Sequence, residues 1–385
     1  MTSKNVYITD LAGFLPNDPV DNDNVERVLG MVGGKPSHSR RLVLRNNGIK
    51  TRHYAIDPST GRYTHNNAQL AAEAVRRLSA KSGVALDEME CLSCGTSSPD
   101  LLQPAHGQMV HGALGSGPCE VVTTAGVCSS GMTSLKYAYM SVALGLTKNA
   151  VATGSELVSG FMRASNFEPE MKARVEKLEK HPSIGFEKDF LRWMLSDGAG
   201  AALLSARPRE NKPSLRIEWI DYLSFAGDMP VCMYSGAIRQ ADGALKAWRE
   251  SEDPMDVVKW NYMSVKQDAR LLDEHIMKVS IERALIPIAK KRSLEPKDVT
   301  WFLPHYSSEY FRPRLYDTMN ANGFNIPYER WFTNLTSKGN IGSAAIYLII
   351  EELLDSGVLR KGDTLLCYIP ESARFSICYM LLTVV

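Results

Sequence analysis

The sequence predicts an α/β fold made of two similar halves, each a buried sheet covered by helices. Three observations carry that reading. The chain has 385 residues and 44% hydrophobic content, enough for a large core. Short apolar runs rich in Val, Leu and Cys alternate with helix-length amphipathic segments, the pattern of strand–helix units around buried sheets. Finally, residues 70–98 find an ungapped echo in residues 280–308.

Taken in order, LAAEAVRRLSAKSGVALDEMECLSCGTSS (70–98) reads as an amphipathic helix, a Lys/Ser connector, an acidic turn and a short strand ending in Ser97-Ser98. SIERALIPIAKKRSLEPKDVTWFLPHYSS (280–308) reads the same way and ends in Ser307-Ser308. A helix predicted from Cys128 stops at Gly145, and one predicted from Asn340 stops at Gly357, glycine being a common helix terminator. The apolar strands NAVATGSE and DTLLCYI follow them. The expected division is 1–207 for the first half and 208–385 for the second. This repeat puts Cys128, His305 and Asn340 at strand C-termini and helix N-termini, where α/β folds place ligands.

Composition narrows the function. Basic and acidic residues number 44 and 43, with no basic stripe or tail, which speaks against nucleic acid. No apolar run reaches membrane-spanning length, and the first residues lack a signal-peptide pattern, so the expectation is a soluble cytoplasmic protein. Seven cysteines read as reduced thiols. Cys91 and Cys94 form a C-x-x-C inside an apolar run without a second pair at metal spacing; they read as strand thiols, and no metal is expected.

Cys128 lies in TTAGVCSSGMTS, at the mouth of a predicted helix. The helix dipole and free N–H groups there favour a thiolate, Gly126 and Gly131 permit close backbone approach, and the N–H of Cys128 can serve an oxyanion. A core thiol explains the residue equally well. His305 ends a strand after Pro304; a hydrogen-bonded core histidine is the competing reading. Asn340, between Gly339 and Gly342, fits an ordinary N-cap, whose amide can still donate to a carbonyl oxygen. Together the three are more specific: a thiol nucleophile with His and Asn serves amide hydrolysis or acyl transfer, and spacing does not separate these.

Several segments resemble ketoacyl synthase III enzymes. AGVCSSGMTSLKYA is similar to their nucleophile segment, LPHYSSEYF to their histidine segment, and SKGNIGSAAIYLIIEELLDSGVLRKGDTLL to their asparagine-helix-strand segment. RNNGIKTRHYA resembles their early arginine-containing turn, and LSDGAGAALLS the strand closing their first half. The order is conserved along most of the chain. The resemblance implies the thiolase fold of condensing enzymes, with five layers (αβαβα) and a homodimer. It implies acylation of Cys128, attack by a carbanion from a second thioester, and stabilisation of the enolate by His305 and Asn340. Substrates would ride on coenzyme A or acyl carrier protein phosphopantetheine, with no metal, nicotinamide or flavin cofactor.

Three departures from the resemblance shape the functional expectation. CYIPESARFSICYM replaces a Gly-rich turn whose N–H completes the oxyanion hole, so the donor by position is Ser372. The insert Ala164–Trp193 combines a charged run, Glu168–Lys180, with an apolar end, Phe186 and Phe190 to Met194. Phe190, Trp193 and Met194 fall at helical spacing and are expected to line an acyl tunnel, against the alternative that they only pin the insert to the core. Glu156 reads as a structural carboxylate or as an auxiliary base. On these departures the chain is most similar to the dialkylresorcinol-forming ketosynthases, which join a β-ketoacyl thioester to a second acyl thioester and close a cyclohexanedione ring. The alternatives are decarboxylative condensation with malonyl-ACP by a 3-oxoacyl-ACP synthase III, O- or N-acylation on the same fold, or a non-catalytic partner subunit of a heterodimer.

Overall fold

A computed structural model describes residues 4–169 and 190–385. Nine strands build the main sheet. The first half of the chain contributes β1 (Tyr7–Phe14), β2 (Cys91–Thr96), β3 (Glu120–Ala125), β4 (Asn149–Glu156) and β5 (Gly198–Ser205). The second contributes β6 (Leu215–Ser224), β7 (Trp301–Pro304), β8 (Thr364–Glu371) and β9 (Ser376–Val384). The strand order is β7-β8-β9-β6-β1-β5-β4-β2-β3.

The pairing pattern occurs twice. In the first half β1 runs antiparallel to β5, β5 antiparallel to β4, and β4 and β3 both parallel to β2. In the second half β6 runs antiparallel to β9, β9 antiparallel to β8, and β8 parallel to β7. A parallel bridge from Phe302 to Trp331 stands where β3 stands in the first half. β1 and β6 meet at only two paired positions, Tyr7 with Arg216 and Ile8 with Leu215, so the sheet divides there.

Helices fill three layers. α1 (Asn67–Ser82) and α2 (His106–Leu114) cover the outer face of the first half, burying Leu70, Val75, Leu78 and Val110 against Leu92, Val151 and Leu203. α1 starts at an Asn66 capping box with Gln69 and stops at left-handed Gly83. α4 (Ala269–Met277) continues through a π-helical stretch, Lys278–Leu285, into α5 (Ile286–Arg292); with α6 (Phe311–Ala321) these cover the outer face of the second half. Between the two strand layers lie α3 (Ser130–Leu144) and α7 (Ala345–Asp355). Met132, Leu135, Val142, Ile346, Ile349 and Leu353 form one cluster there with strand residues of both halves. Both helices are apolar over most of their circumference, as burial on two sides requires.

Glycines set how closely the middle layer closes. A Cβ on Gly154 of β4 or on Gly131 of α3 would overlap the backbone oxygen of Ser343, and a Cβ on Gly95 of β2 would overlap the backbone oxygen of Ser130. The segment leading into α7 is thereby laid directly against β4 and α3.

Most of the charged run Glu168–Lys180, and Phe186, lie outside the described residues. Where the chain resumes, the helical turn ends at Arg192, and Trp193 and Met194 bond back to Phe190 and Leu191 in a tighter turn. Phe190, Trp193 and Met194 therefore do not share one helical face. Among the described residues no helix is long and apolar enough to cross a membrane, and no group of three or more His, Cys, Asp or Glu side chains is arranged to hold a metal.

Replacing Gly154 with alanine forces a methyl group into Ser343 backbone. The expected cost is about 3 kcal/mol of stability, read as a lower denaturant midpoint with an unchanged slope. A midpoint equal to that of the parent protein would show that the Ser343 segment is free to move away.

Candidate active site

The helix mouth is built from the turn 126–129. Ser130 N–H and Oγ both donate to Val127 O, and Thr133 N–H donates to Ser129 O, which starts α3 two residues after Cys128. His305 follows the last residue of β7, with its N–H bonded to Tyr368 O at 2.8 Å. Asn340 is held through its backbone: its N–H donates to Met194 O at 3.0 Å, and its carbonyl accepts from Ser196 N–H at 2.9 Å. Its side-chain Oδ1 accepts from Gly342 N–H at 3.0 Å, which leaves Nδ2 as the end able to reach a ligand oxygen.

Cys128, His305 and Asn340 line one cavity, together with Glu156 and Ser372. The rest of its wall is mostly apolar and comes from Leu191, Met194, Leu195, Val265, Leu272 and Ile276 among others. Met194 is thus a lining residue. Phe190 and Trp193 are not among the lining residues: Trp193 is wholly buried in a separate cluster with Val25, Tyr54 and Met162, which Phe190 also packs against.

Electrostatics at the site depart from the sequence expectation for Cys128. The thiol is pushed well above its ordinary value, first by burial, then by the carboxylates of Glu156 and Glu371; its own N–H is the opposing influence. The helix mouth therefore does not set the thiol alone, because two buried carboxylates share its surroundings. Burial holds His305 down at about 4, so its imidazole is neutral at pH 7 and offers a hydrogen bond, not a positive charge. Glu156 is fully buried; its carboxylate accepts from Ser97 Oγ at 2.6 Å, Ser98 Oγ at 2.8 Å and the N–H of Ser343 at 3.2 Å. Burial raises its pKa and these hydrogen bonds oppose the rise. The carboxylate joins the ends of β2 and β4 to the segment three residues beyond Asn340. Cys91 and Cys94, both buried in β2, are pushed up to about 12 by burial, as strand thiols should be.

Sequence reasoning did not single out Glu371, Ser129 and Tyr222. The Glu371 carboxylate accepts from Ser129 Oγ and from the N–H of Val127, and Ser129 Oγ lies 2.9 Å from Tyr222 Oη. A carboxylate thus grips the turn on both sides of Cys128. The available signal was the CYIPESARFSICYM stretch, where Glu371 stands in the expected Gly-rich turn. Gln267, also in the cavity wall, gave no signal.

An α/β protein with the repeated thiolase-type layering and a buried Cys–His–Asn cavity is the class that fold and site define. The comparisons agree with that class. Residues 289–368, which contain His305 and Asn340, match the family described as 3-oxoacyl-[acyl-carrier-protein (ACP)] synthase III C terminal. The chain is 22% identical over 363 residues to a beta-ketoacyl-[acyl-carrier-protein] synthase III of Clostridium perfringens, covering 94% of each. It is 24% identical over 368 residues to that of Koribacter versatilis, covering 95% of this chain and 94% of the relative. Among solved structures, AbyA1, a tetronic acid condensing enzyme, superposes with a TM-score of 0.76 at 21% identity over 98% of this chain and 99% of that one. An OleA of Xanthomonas campestris with bound lauric acid and lauroyl-CoA gives 0.71 at 17% identity over 99% of both. The chain is ketosynthase III-like, and its fold is the one these structures share.

Glu371→Gln keeps the shape of the grip and removes its charge. A negative charge beside the thiol raises its pKa, so removal lowers it. The expected result is that iodoacetamide alkylation of Cys128, followed by intact mass, sets in at lower pH than in the parent. An unchanged profile would mean that Glu371 exerts no charge on Cys128.

Proposed function

We propose that the protein is a condensing acyltransferase acting through an acyl-Cys128 intermediate. The observation that carries this reading is the single cavity lined by Cys128, His305 and Asn340 and walled by apolar side chains. In the first step Cys128 Sγ attacks an acyl thioester, the bond to the carrier sulfur breaks, and the carrier leaves as a thiol with the proton of Cys128. In the second, a second thioester gives up an α-proton to a base, or CO2 from a malonyl-type group, and becomes an enolate whose oxygen accepts hydrogen bonds from His305 and Asn340. The enolate carbon attacks the acyl carbonyl, and Cys128 departs as the thiolate. The N–H groups of Cys128 and Ser372 serve the tetrahedral oxyanion. Division at 207/208 then gives the first half the nucleophile and the second the enolate donors.

The carriers are coenzyme A or acyl carrier protein, with no resident cofactor, and the active species is a homodimer. The finer reading is condensation of a β-ketoacyl thioester with a second acyl thioester, followed by closure to a cyclohexanedione or dialkylresorcinol precursor. Its support is the insert before β5 and the fold likeness to AbyA1 and OleA. One observation favours a second reading, decarboxylative attack by a malonyl-type thioester. Glu156, the auxiliary-base candidate, already accepts hydrogen bonds from Ser97, Ser98 and Ser343. A carboxylate so engaged is a weakened base, whereas loss of CO2 generates the enolate without one.

The test is intact mass after incubation with acyl thioesters. The parent should gain the acyl mass and Cys128→Ala should not. His305→Ala and Asn340→Ala should still acquire acyl group but lose roughly two to three orders of magnitude in condensation rate. Acylation of Cys128→Ala, or normal condensation by either other variant, would overturn the proposal. Product analysis with β-ketoacyl and malonyl partners separates the two readings.

A further inference from the structure

Most polar groups in the cavity wall outside Cys128, His305 and Asn340 have partners within the protein. Tyr368 Oη donates to Ser280 Oγ at 2.8 Å, Tyr306 Oη to Glu309 at 3.1 Å, and Ser97 Oγ to Glu156 at 2.6 Å. Gln267 is an exception that is also deeply buried. Its side chain is 97% buried and lines the cavity beside Met233, Val265 and Leu272. Nε2 donates to Ser372 Oγ at 2.9 Å; among the described residues the amide oxygen has no hydrogen-bond partner. An amide oxygen without a protein partner in a cavity wall is free to meet a ligand that carries its own polar group.

The amide is held in a fixed frame. Gln267 pairs with Met233, and the N–H groups of Cys232 and Met233 both donate to Ala373 O in the turn that carries Ser372. The preceding Lys266 spreads its ammonium over the carbonyls of Ala237, Asn261, Tyr262 and Ser264. On its other side Asp268 caps α4 through Leu271 N–H. The frame also fixes where along an acyl chain the amide acts. Ser372 follows Glu371, whose carboxylate bonds Ser129 next to the nucleophile. Gln267, Ser372 and Cys128 line the same cavity, and the amide bonds the residue whose N–H is the proposed oxyanion donor, which assigns it to the thioester end of an acyl group on Cys128; Leu272, Ile276 and Leu315 supply aliphatic wall for the remainder.

We propose that Gln267, supported by Ser372, is a specificity-determining residue that recognises an oxygen near the thioester end of the acyl chain, selecting 3-oxo- or 3-hydroxyacyl groups over saturated ones. The inference rests on the reading of Cys128 as the acyl acceptor. A 3-hydroxyl donates to the amide oxygen; a 3-oxo group accepts from the second amide hydrogen. A site built to hydrogen-bond a substrate group discriminates against the analogue lacking it, because its own buried group is then left unpaired.

The experiment measures acylation rates of Cys128 by intact mass with octanoyl-, 3-oxooctanoyl- and 3-hydroxyoctanoyl-CoA. The parent protein should prefer at least one oxygenated donor over octanoyl-CoA by about tenfold or more. The preferred one tells whether the amide presents its oxygen or its hydrogen to the ligand. In Gln267→Leu, of similar size, that ratio should collapse toward one; Ser372→Ala should reduce it by less. A parent that acylates with all three donors at equal rates would overturn the proposal while leaving the acyl-Cys128 reading intact. So would a Gln267→Leu protein that keeps the preference. Absence of acylation by all three donors would overturn both. Should Gln267→Leu not fold, the ratio in the parent still decides.

Discussion

The backbone of Ser343 lies against Gly131 and Gly154 with no room for a methyl group between them, and the site depends on this contact. It brings the second half of the chain onto α3 and onto the strand that ends in Glu156. The Glu156 carboxylate then bridges the same seam by accepting from Ser97, Ser98 and Ser343. A close backbone approach and a buried, saturated carboxylate together define the distance between Cys128 and Asn340, residues far apart in sequence. Interiors packed at this density transmit small shifts, so residues that never touch a substrate still control the geometry of those that do.

The closeness has an electrostatic consequence. Cys128, Glu156, Glu371 and His305 share a low-dielectric enclosure in which every charge is costly. The histidine responds by staying neutral, the cysteine by holding its proton. In the proposed reaction a neutral imidazole and an amide Nδ2 would act as donors to an arriving charge while carrying none themselves beforehand. That is what enolate chemistry asks of a preorganised site.

The division of labour between halves is also physical. The first half supplies a thiol in the turn that opens α3, a turn held by Ser130 on Val127 O and by Glu371 on Ser129. The second supplies most of the apolar wall, from α4 and α6 at the outer layer, and the polar Gln267–Ser372 pair beside it.

The sequence by itself determined the repeated strand–helix order, because hydrophobic periodicity and helix-stopping glycines are local properties. NAVATGSE coincides with β4, Gly145 ends α3, and the echo of 70–98 in 280–308 matches β2 to β7. It also marked Cys128, His305 and Asn340, whose places follow from strand ends and helix mouths. It showed only part of the thiol's surroundings: a helix N-terminus is visible in sequence, but burial and the Glu156 and Glu371 carboxylates, which arrive from distant strands and raise the thiol's pKa, are not. It placed Trp193 with Met194, whereas a tight turn after Arg192 sends one into the core and leaves the other on the cavity. Gln267 was invisible, since SVKQDARL carries no chemical signature and the amide acquires meaning only when Ser372, more than a hundred residues later, closes on it. Local patterning decides which elements form; which side chains end up sharing a dry cavity is decided by long-range packing, and with it every pKa and every unsatisfied hydrogen bond.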